Sequence, residues 1–197
     1  NPKIGAGHVM RTSVIAEELI DLGLQVEFVG QIEDLPWLSK RISELGFSAI
    51  YNEENEILGE TIHDVLILDS YEIPISNPFI ASNRWKRVIS ISDSMSPDYE
   101  CDLVVYQSFS KPKTLRPNQK MVFGTDYLPI RKSLHVFAKE RKFISSNAPM
   151  ISIVGGGADL NNFTQTITNI LQKSNILFHA KVFTKNHVEV IEGGVEV

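Results

Sequence analysis

Short apolar runs alternate with helix-patterned stretches along this chain, and that alternation limits what it can fold into. The runs Gln25–Val29, Val65–Leu68, Val88–Ile91, Leu103–Tyr106, Met121–Phe123, Ile151–Val154 and Ile176–Phe183 read as strands. Between them, apolar residues recur at helical spacing. Val9, Thr12, Ile15, Ala16 and Leu19 predict a helix over His8–Leu22, with Gly23 as its C-terminal stop. Weaker helical patterns cover Pro36–Leu45, Ser76–Asn83, Ile130–Arg141 and Asn161–Lys173. The run Val65-Leu66-Ile67-Leu68 is apolar without interruption, the pattern of a strand covered on both faces. The expected fold class is α/β, with a doubly wound parallel sheet.

With 197 residues, 43% of them hydrophobic, the chain has enough apolar material for a core. A polar, Pro-containing stretch, Ser145-Ser146-Asn147-Ala148-Pro149, separates the charged end Lys139-Glu140-Arg141-Lys142 from a new strand, glycine turn and helix. The expected plan is one α/β domain over 1–147 and the opening elements of a second over 148–197. A glycine turn and helix begin within a few residues of Asn1, and such a turn normally follows a strand. The reading expects a fragment that lacks its first strand and ends, at Glu192-Gly193-Gly194-Val195-Glu196-Val197, inside an unfinished domain.

The net charge of −5 argues against nucleic acid, which asks for a basic stripe. No apolar run approaches bilayer-spanning length and no signal peptide is visible, so no integral membrane segment is expected. A single cysteine, Cys101, rules out an intrachain disulfide and points to the cytoplasm. It reads as a buried thiol. His63, His135, His179 and His187 lack metal-ligand spacing, so no metal and no cofactor are expected.

Three stretches can carry chemistry. In Gly5-Ala6-Gly7-His8, glycines let backbone N–H groups come close to a ligand, and the helix that follows adds unpaired N–H groups and partial positive charge, which suits a diphosphate. A charged imidazolium is disfavoured at that end of a helix, so neutral His8 is placed to act as a general base. The plain alternative is a tight turn with a capping histidine. Asp69-Ser70-Tyr71 directly follows one strand and Ser92-Asp93-Ser94 another, and ligands gather outside the carboxyl ends of parallel strands. There an acid can orient a histidine or bind a sugar hydroxyl, or simply cap the next helix. The third stretch, Val154-Gly155-Gly156-Gly157-Ala158-Asp159, is a backbone nest suited to anions or a bare strand–helix turn. It fits neither a P-loop nor a dinucleotide fingerprint.

Taken in order, Ile4-Gly5-Ala6-Gly7-His8-Val9-Met10-Arg11, Leu68-Asp69-Ser70-Tyr71, Ile91-Ser92-Asp93-Ser94, Cys101-Asp102-Leu103-Val104-Val105, Gly124-Thr125-Asp126-Tyr127-Leu128-Pro129-Ile130-Arg131 and Gly155-Gly156-Gly157-Ala158-Asp159 resemble the UDP-sugar hydrolases of pseudaminic acid biosynthesis and the related spore-coat polysaccharide proteins. These are similar in turn to the N-acetylglucosaminyl transferase that completes the peptidoglycan lipid precursor. The resemblance spans nearly the whole chain. It implies a GT-B fold: an N-terminal Rossmann-like sugar-site domain, then a nucleotide-binding domain, with the active site in the cleft between them.

The resemblance also assigns roles. His8 would be the base that activates water at the anomeric carbon, and Tyr71 would contact the sugar or position that base. Gly5 and Gly7 would cradle the diphosphate. Arg11 would be a substrate-binding residue, Asp69, Asp93, Tyr127 and Arg131 would line or support the cleft, and Gly155, Gly156 and Gly157 would open the nucleotide half. The implied reaction is hydrolysis of a UDP-linked 2,4-diacetamido-2,4,6-trideoxyhexose to free sugar and UDP, for nonulosonic acid or surface polysaccharide synthesis. The family usually carries two adjacent acids where this chain has Asp93-Ser94, which leaves room for another sugar or for a UDP-sugar-dependent glycosyltransferase. A third reading is a non-catalytic binding module fused to, or acting with, other enzymes of that pathway. With most of the uridine-binding half expected beyond Val197, the fragment is expected to bind UDP poorly.

Overall fold

Helix α1 (Gly7–Asp21) ends in a left-handed turn at Gly23, φ +81°. There Gly23 N–H bonds to the Ile20 carbonyl and Leu24 N–H to the Leu19 carbonyl, which satisfies two of the last carbonyls of the helix. Strand β1 (Glu27–Val29), helix α2 (Pro36–Glu44) and strand β2 (Ala49–Tyr51) follow. Pro36 opens α2, where its missing N–H costs nothing, and Leu38 and Ile42, one turn apart, are its buried stripe. β3 (His63–Leu68), α3 (Pro78–Ala81), β4 (Trp85–Ser92), β5 (Leu103–Tyr106) and β6 (Lys120–Phe123) come next, then a 3₁₀ turn (Thr125–Tyr127) and α4 (Lys132–Glu140). The chain continues as β7 (Met150–Val154), α5 (Phe163–Gln172), β8 (Phe178–Phe183) and β9 (Val188–Gly193). The computed structural model describes residues 6–32, 35–51, 63–70, 77–81, 84–92, 100–109, 119–140, 148–156, 159, 162–184 and 188–193.

The contacts divide the chain into two units, His8–Lys132 and Ser133–Val197 with the residues up to Gly7. In the His8–Lys132 unit, β3-β4-β5-β6 form a parallel sheet in sequence order, and β1 pairs parallel with β2. Parallel pairing of consecutive strands requires crossovers, which is the mixed α/β arrangement that the alternating pattern predicts. Burial in β3 and β4 rises toward their carboxyl ends, where Leu68 packs with Ile80 of α3, Leu66, Val88 and Cys101. The Val65–Leu68 run is therefore not covered evenly on both faces: Val65, at its near end, is 46% exposed. Trp85 packs between the His63 and Phe79 rings and donates its indole N–H to the Phe79 carbonyl at 2.7 Å.

The Ser133–Val197 unit pairs β7 parallel with β8 and β8 antiparallel with β9. The antiparallel edge departs from the expected all-parallel sheet. The β8–β9 connection is too short for a helical crossover, so the chain must turn back on itself. Phe178, Ala180, Val182, Ile153 and Ile191 form the core, with Ile167 and Leu171 of α5 against it. A Cβ at Gly193 would overlap the Phe178 ring, so β9 closes over that ring only with glycine there. Phe178 is 1% exposed, and Phe178→Ala is expected to cost about 3–5 kcal/mol. Faster amide exchange across β7, β8 and β9 would report that loss.

Two strands escape the sequence reading, Ala49–Tyr51 and Val188–Gly193. Another begins later than predicted, at Phe178 rather than Ile176, because Ile176 and Leu177 are exposed and unpaired in the sheet. The expected boundary at 147 falls in a stretch outside the described residues up to Ala148, and the contact division lies earlier, between Lys132 and Ser133.

Candidate functional site

The carboxyl ends of β3, β4 and β5 meet the first turn of α1. Asp69 is the first residue after β3, and its side chain is 1% exposed. His8 and Arg11 lie one turn apart on α1, so both side chains reach the same carboxylate. His8 Nδ1 stands 2.5 Å from Asp69 Oδ1. Arg11 grips both oxygens of Asp69, donating from Nε to Oδ2 at 2.9 Å and from Nη2 to Oδ1 at 2.8 Å. Its Nη1 points to the Gln107 side-chain oxygen at 3.4 Å. Gln107 follows β5 and is anchored by its backbone N–H on the Ser92 carbonyl at 2.8 Å, at the end of β4. Its amide nitrogen lies 3.5 Å from the Tyr127 carbonyl.

Packing fixes α1 in place. Val14 and Ala16 are buried, Arg41 of α2 pairs with Glu17 at 3.1 Å, and Lys132 pairs with Asp21 and Glu18. The site histidine therefore projects from a helix held along its middle and its C-terminal half.

The proton on the His8 ring can be assigned from these distances. A carboxylate oxygen 2.5 Å from Nδ1 accepts the Nδ1–H; the opposite tautomer would set two lone pairs against each other. Arg11 Nη2 carries two hydrogens: one goes to Asp69 Oδ1 at 2.8 Å and the nitrogen also stands 3.1 Å from His8 Nδ1, a longer approach than the 2.5 Å carboxylate contact that sets the tautomer. In the neutral ring the lone pair then sits on Nε2. An imidazole held through Nδ1 by a fixed carboxylate, with Nε2 as proton acceptor, is the arrangement that general-base and nucleophile-activating histidines use.

The other predicted residues are distributed as follows. Gly7 is the first residue of α1. Tyr127 closes the 3₁₀ turn after β6, half-exposed, and meets Gln107 through its backbone. Arg131 reaches α1 at the Met10 sulfur, 3.9 Å away. Gly5, Tyr71, Asp93 and Gly157 lie outside the described residues. Gly155 and Gly156 belong to the other unit. Gln107 is absent from the sequence reading, although the same signal that marks Asp69 marks it: a polar residue directly after an apolar run in a parallel sheet. Among the described residues, no three His, Cys, Asp or Glu side chains group as a metal ion would require, and no helix is long and apolar enough to cross a membrane.

Beside the Gly155–Gly156 turn, Asp159 caps the first turn of α5. Its Oδ1 accepts the Phe163 N–H at 2.8 Å and the Thr164 N–H at 3.3 Å, and its Oδ2 accepts the Thr164 hydroxyl. A Cβ at Gly155 would run into that carboxylate, so this glycine permits the cap. A second anion on the first turn of α5 would meet the Asp159 charge. The Thr164 hydroxyl, then the Thr164 and Phe163 amides, hold the Asp159 carboxyl below its ordinary value of 3.8. A carboxyl lowered on folding stabilises above its unfolded pKa and loses that contribution as pH falls through the lower folded value. The difference in melting temperature between the native chain and Asp159→Asn is therefore expected to be full above pH 4 and to shrink below it.

No family model, curated protein or solved structure matches this chain.

Proposed function

We propose that the chain carries the sugar-side half of a nucleotide-sugar hydrolase of GT-B type, acting in the cytoplasm on a UDP-linked 2,4-diacetamido-2,4,6-trideoxyhexose. The observation that carries the reading is the 2.5 Å contact between His8 Nδ1 and the buried Asp69 carboxylate, in the first turn of a helix at the carboxyl ends of a parallel sheet. The motif resemblance supplies the substrate class.

His8 Nε2 takes a proton from water as the water oxygen bonds to the anomeric carbon. The bond from that carbon to the UDP oxygen breaks, and UDP leaves with the electron pair. UDP is a stable anion, so water activation and phosphate binding carry most of the work and no strong acid is needed at the leaving oxygen. The first-turn N–H groups of α1, next to His8, are the natural donors to the diphosphate. Attack from the face opposite UDP inverts the anomeric centre.

The test is to incubate the chain, and the longest open reading frame that contains it, with the UDP-sugar and without any acceptor. UDP and free sugar should form together, with inversion. UDP release that appears only when an acceptor alcohol is added would replace the hydrolase with a glycosyltransferase. Binding of the UDP-sugar without turnover would leave a binding module.

A further inference from the structure

We infer that Arg11 is a positioning residue, not a ligand for the substrate phosphates: by locking both oxygens of Asp69 it sets which nitrogen of His8 carries the proton. The catalytic half of the inference rests on the hydrolase reading; the tautomer half does not.

An unrestrained histidine side chain prefers its proton on Nε2, the tautomer that would leave Nδ1 as the base. Reversing that preference requires an acceptor held still at Nδ1. Asp69 is that acceptor, but a lone carboxylate after a strand end can rotate about its last bond and offer its oxygens elsewhere. Arg11 removes this freedom. Its Nε and Nη2 bind Oδ2 and Oδ1 as a planar fork, at 2.9 and 2.8 Å, so the carboxylate plane is fixed by the guanidinium plane. The bond from Nη1 toward Gln107 holds the far side of the fork. His8 and Arg11 sit one turn apart on one rigid helix, so the ring and the clamp cannot drift separately. Nε and Nη2 each direct a hydrogen at Asp69, Nη1 directs one at Gln107, and Nη2 also faces His8 Nδ1, so each of the three guanidinium nitrogens is engaged with the protein. Lysine keeps the charge but offers a single point that cannot hold both oxygens in a plane.

The experiment uses the full chain labelled with ¹⁵N-histidine, compared with Arg11→Lys, Arg11→Met and Asp69→Asn, with His8→Asn to assign the resonance. In the native chain, at a pH where the ring is neutral, His8 should show a protonated Nδ1 and an unprotonated Nε2. Arg11→Lys should return a mixture of tautomers, and Asp69→Asn a mixture or the opposite form. On the UDP-sugar, Arg11→Lys should lower kcat by about 10²-fold, the cost of a misplaced catalytic group, with KM little changed. A phosphate-binding arginine would instead raise KM. Arg11→Lys keeps the charge balance, so the test survives if Arg11→Met fails to fold.

A native Nε2–H ring, or an unchanged Nδ1–H ring in Arg11→Lys and Arg11→Met, overturns the inference. So does a KM rise with unchanged kcat. Tautomer shifts as expected in a protein that releases no UDP would leave the positioning role standing and remove the hydrolase reading.

Discussion

Replacing His8 with Asn is expected to lower kcat for acceptor-free UDP release by about 10²–10⁴-fold, the usual contribution of a positioned general base, while the fold stays intact. Asparagine is the informative choice because it separates the two ends of the ring. Its amide can donate to Asp69 Oδ1 where Nδ1–H donates now, so the buried carboxylate keeps both its partners. Nothing then occupies the place of Nε2, and water at the anomeric carbon has no acceptor for its proton. The side chain of His8 is 13% exposed, which leaves room for the smaller residue without a sealed cavity. Steady-state UDP release measures the first effect, and far-ultraviolet circular dichroism with thermal melting checks the second. Undiminished turnover with an unchanged melt would falsify the base role of His8 and leave the His8–Asp69 pair as a structural clasp.

The fold was legible in proportion to how local its causes are. Helix α1 could be read because its apolar spacing, Gly23 stop and absence of proline act within the segment itself. The parallel strands β3 to β6 could be read because each is an apolar run bounded by polar residues. β2 could not. Ala49-Ile50-Tyr51 is three residues long, and what makes it a strand is its pairing with Glu27, Phe28 and Val29, a partner the local sequence does not announce. β9 hides for a similar reason. Val188-Glu189-Val190-Ile191-Glu192-Gly193 alternates only in part, and its place depends on the Phe178 ring and on the antiparallel register with β8. In the site, strand-end logic found Asp69, and helix-start logic found His8. That Asp69 orients the ring is one of three roles the sequence leaves open for it. The part of Arg11 was not foreseen. The resemblance assigns Arg11 only to the substrate-binding residues, whereas the bond that its guanidinium makes to a carboxylate 58 residues away in sequence could be read only from the structure. Beside the Gly155–Gly156 turn, the first-turn amides of α5 already hold a carboxylate of the chain itself, Asp159.

Arg11→Met is expected to destabilise the His8–Lys132 unit more than Asp69→Ala does, although each removes the same ion pair. The difference lies in what is left behind. Without Arg11, the Asp69 carboxylate keeps His8 but loses two charge-assisted hydrogen bonds, and at 1% side-chain exposure it cannot exchange them for water. Stranding a buried charge in this way costs about 3–5 kcal/mol. Without Asp69, the Arg11 side chain starts 20% exposed, and its long stem can carry the guanidinium outward to solvent. That loss should stay near the 1–3 kcal/mol typical of a broken hydrogen bond to a charged group, so about 2 kcal/mol. Combining Arg11→Met with Asp69→Leu should then cost less than Arg11→Met alone, because no charge is left buried and the apolar side chains fill the space. Urea unfolding followed by circular dichroism, supported by amide exchange in α1 and β3, measures all three variants. Equal losses for the two single variants, with a double variant equal to their sum, would show that Asp69 reaches water despite its burial. In that case the carboxylate is not held firmly enough to orient His8, and the ring loses the fixed acceptor on which its proposed chemistry depends.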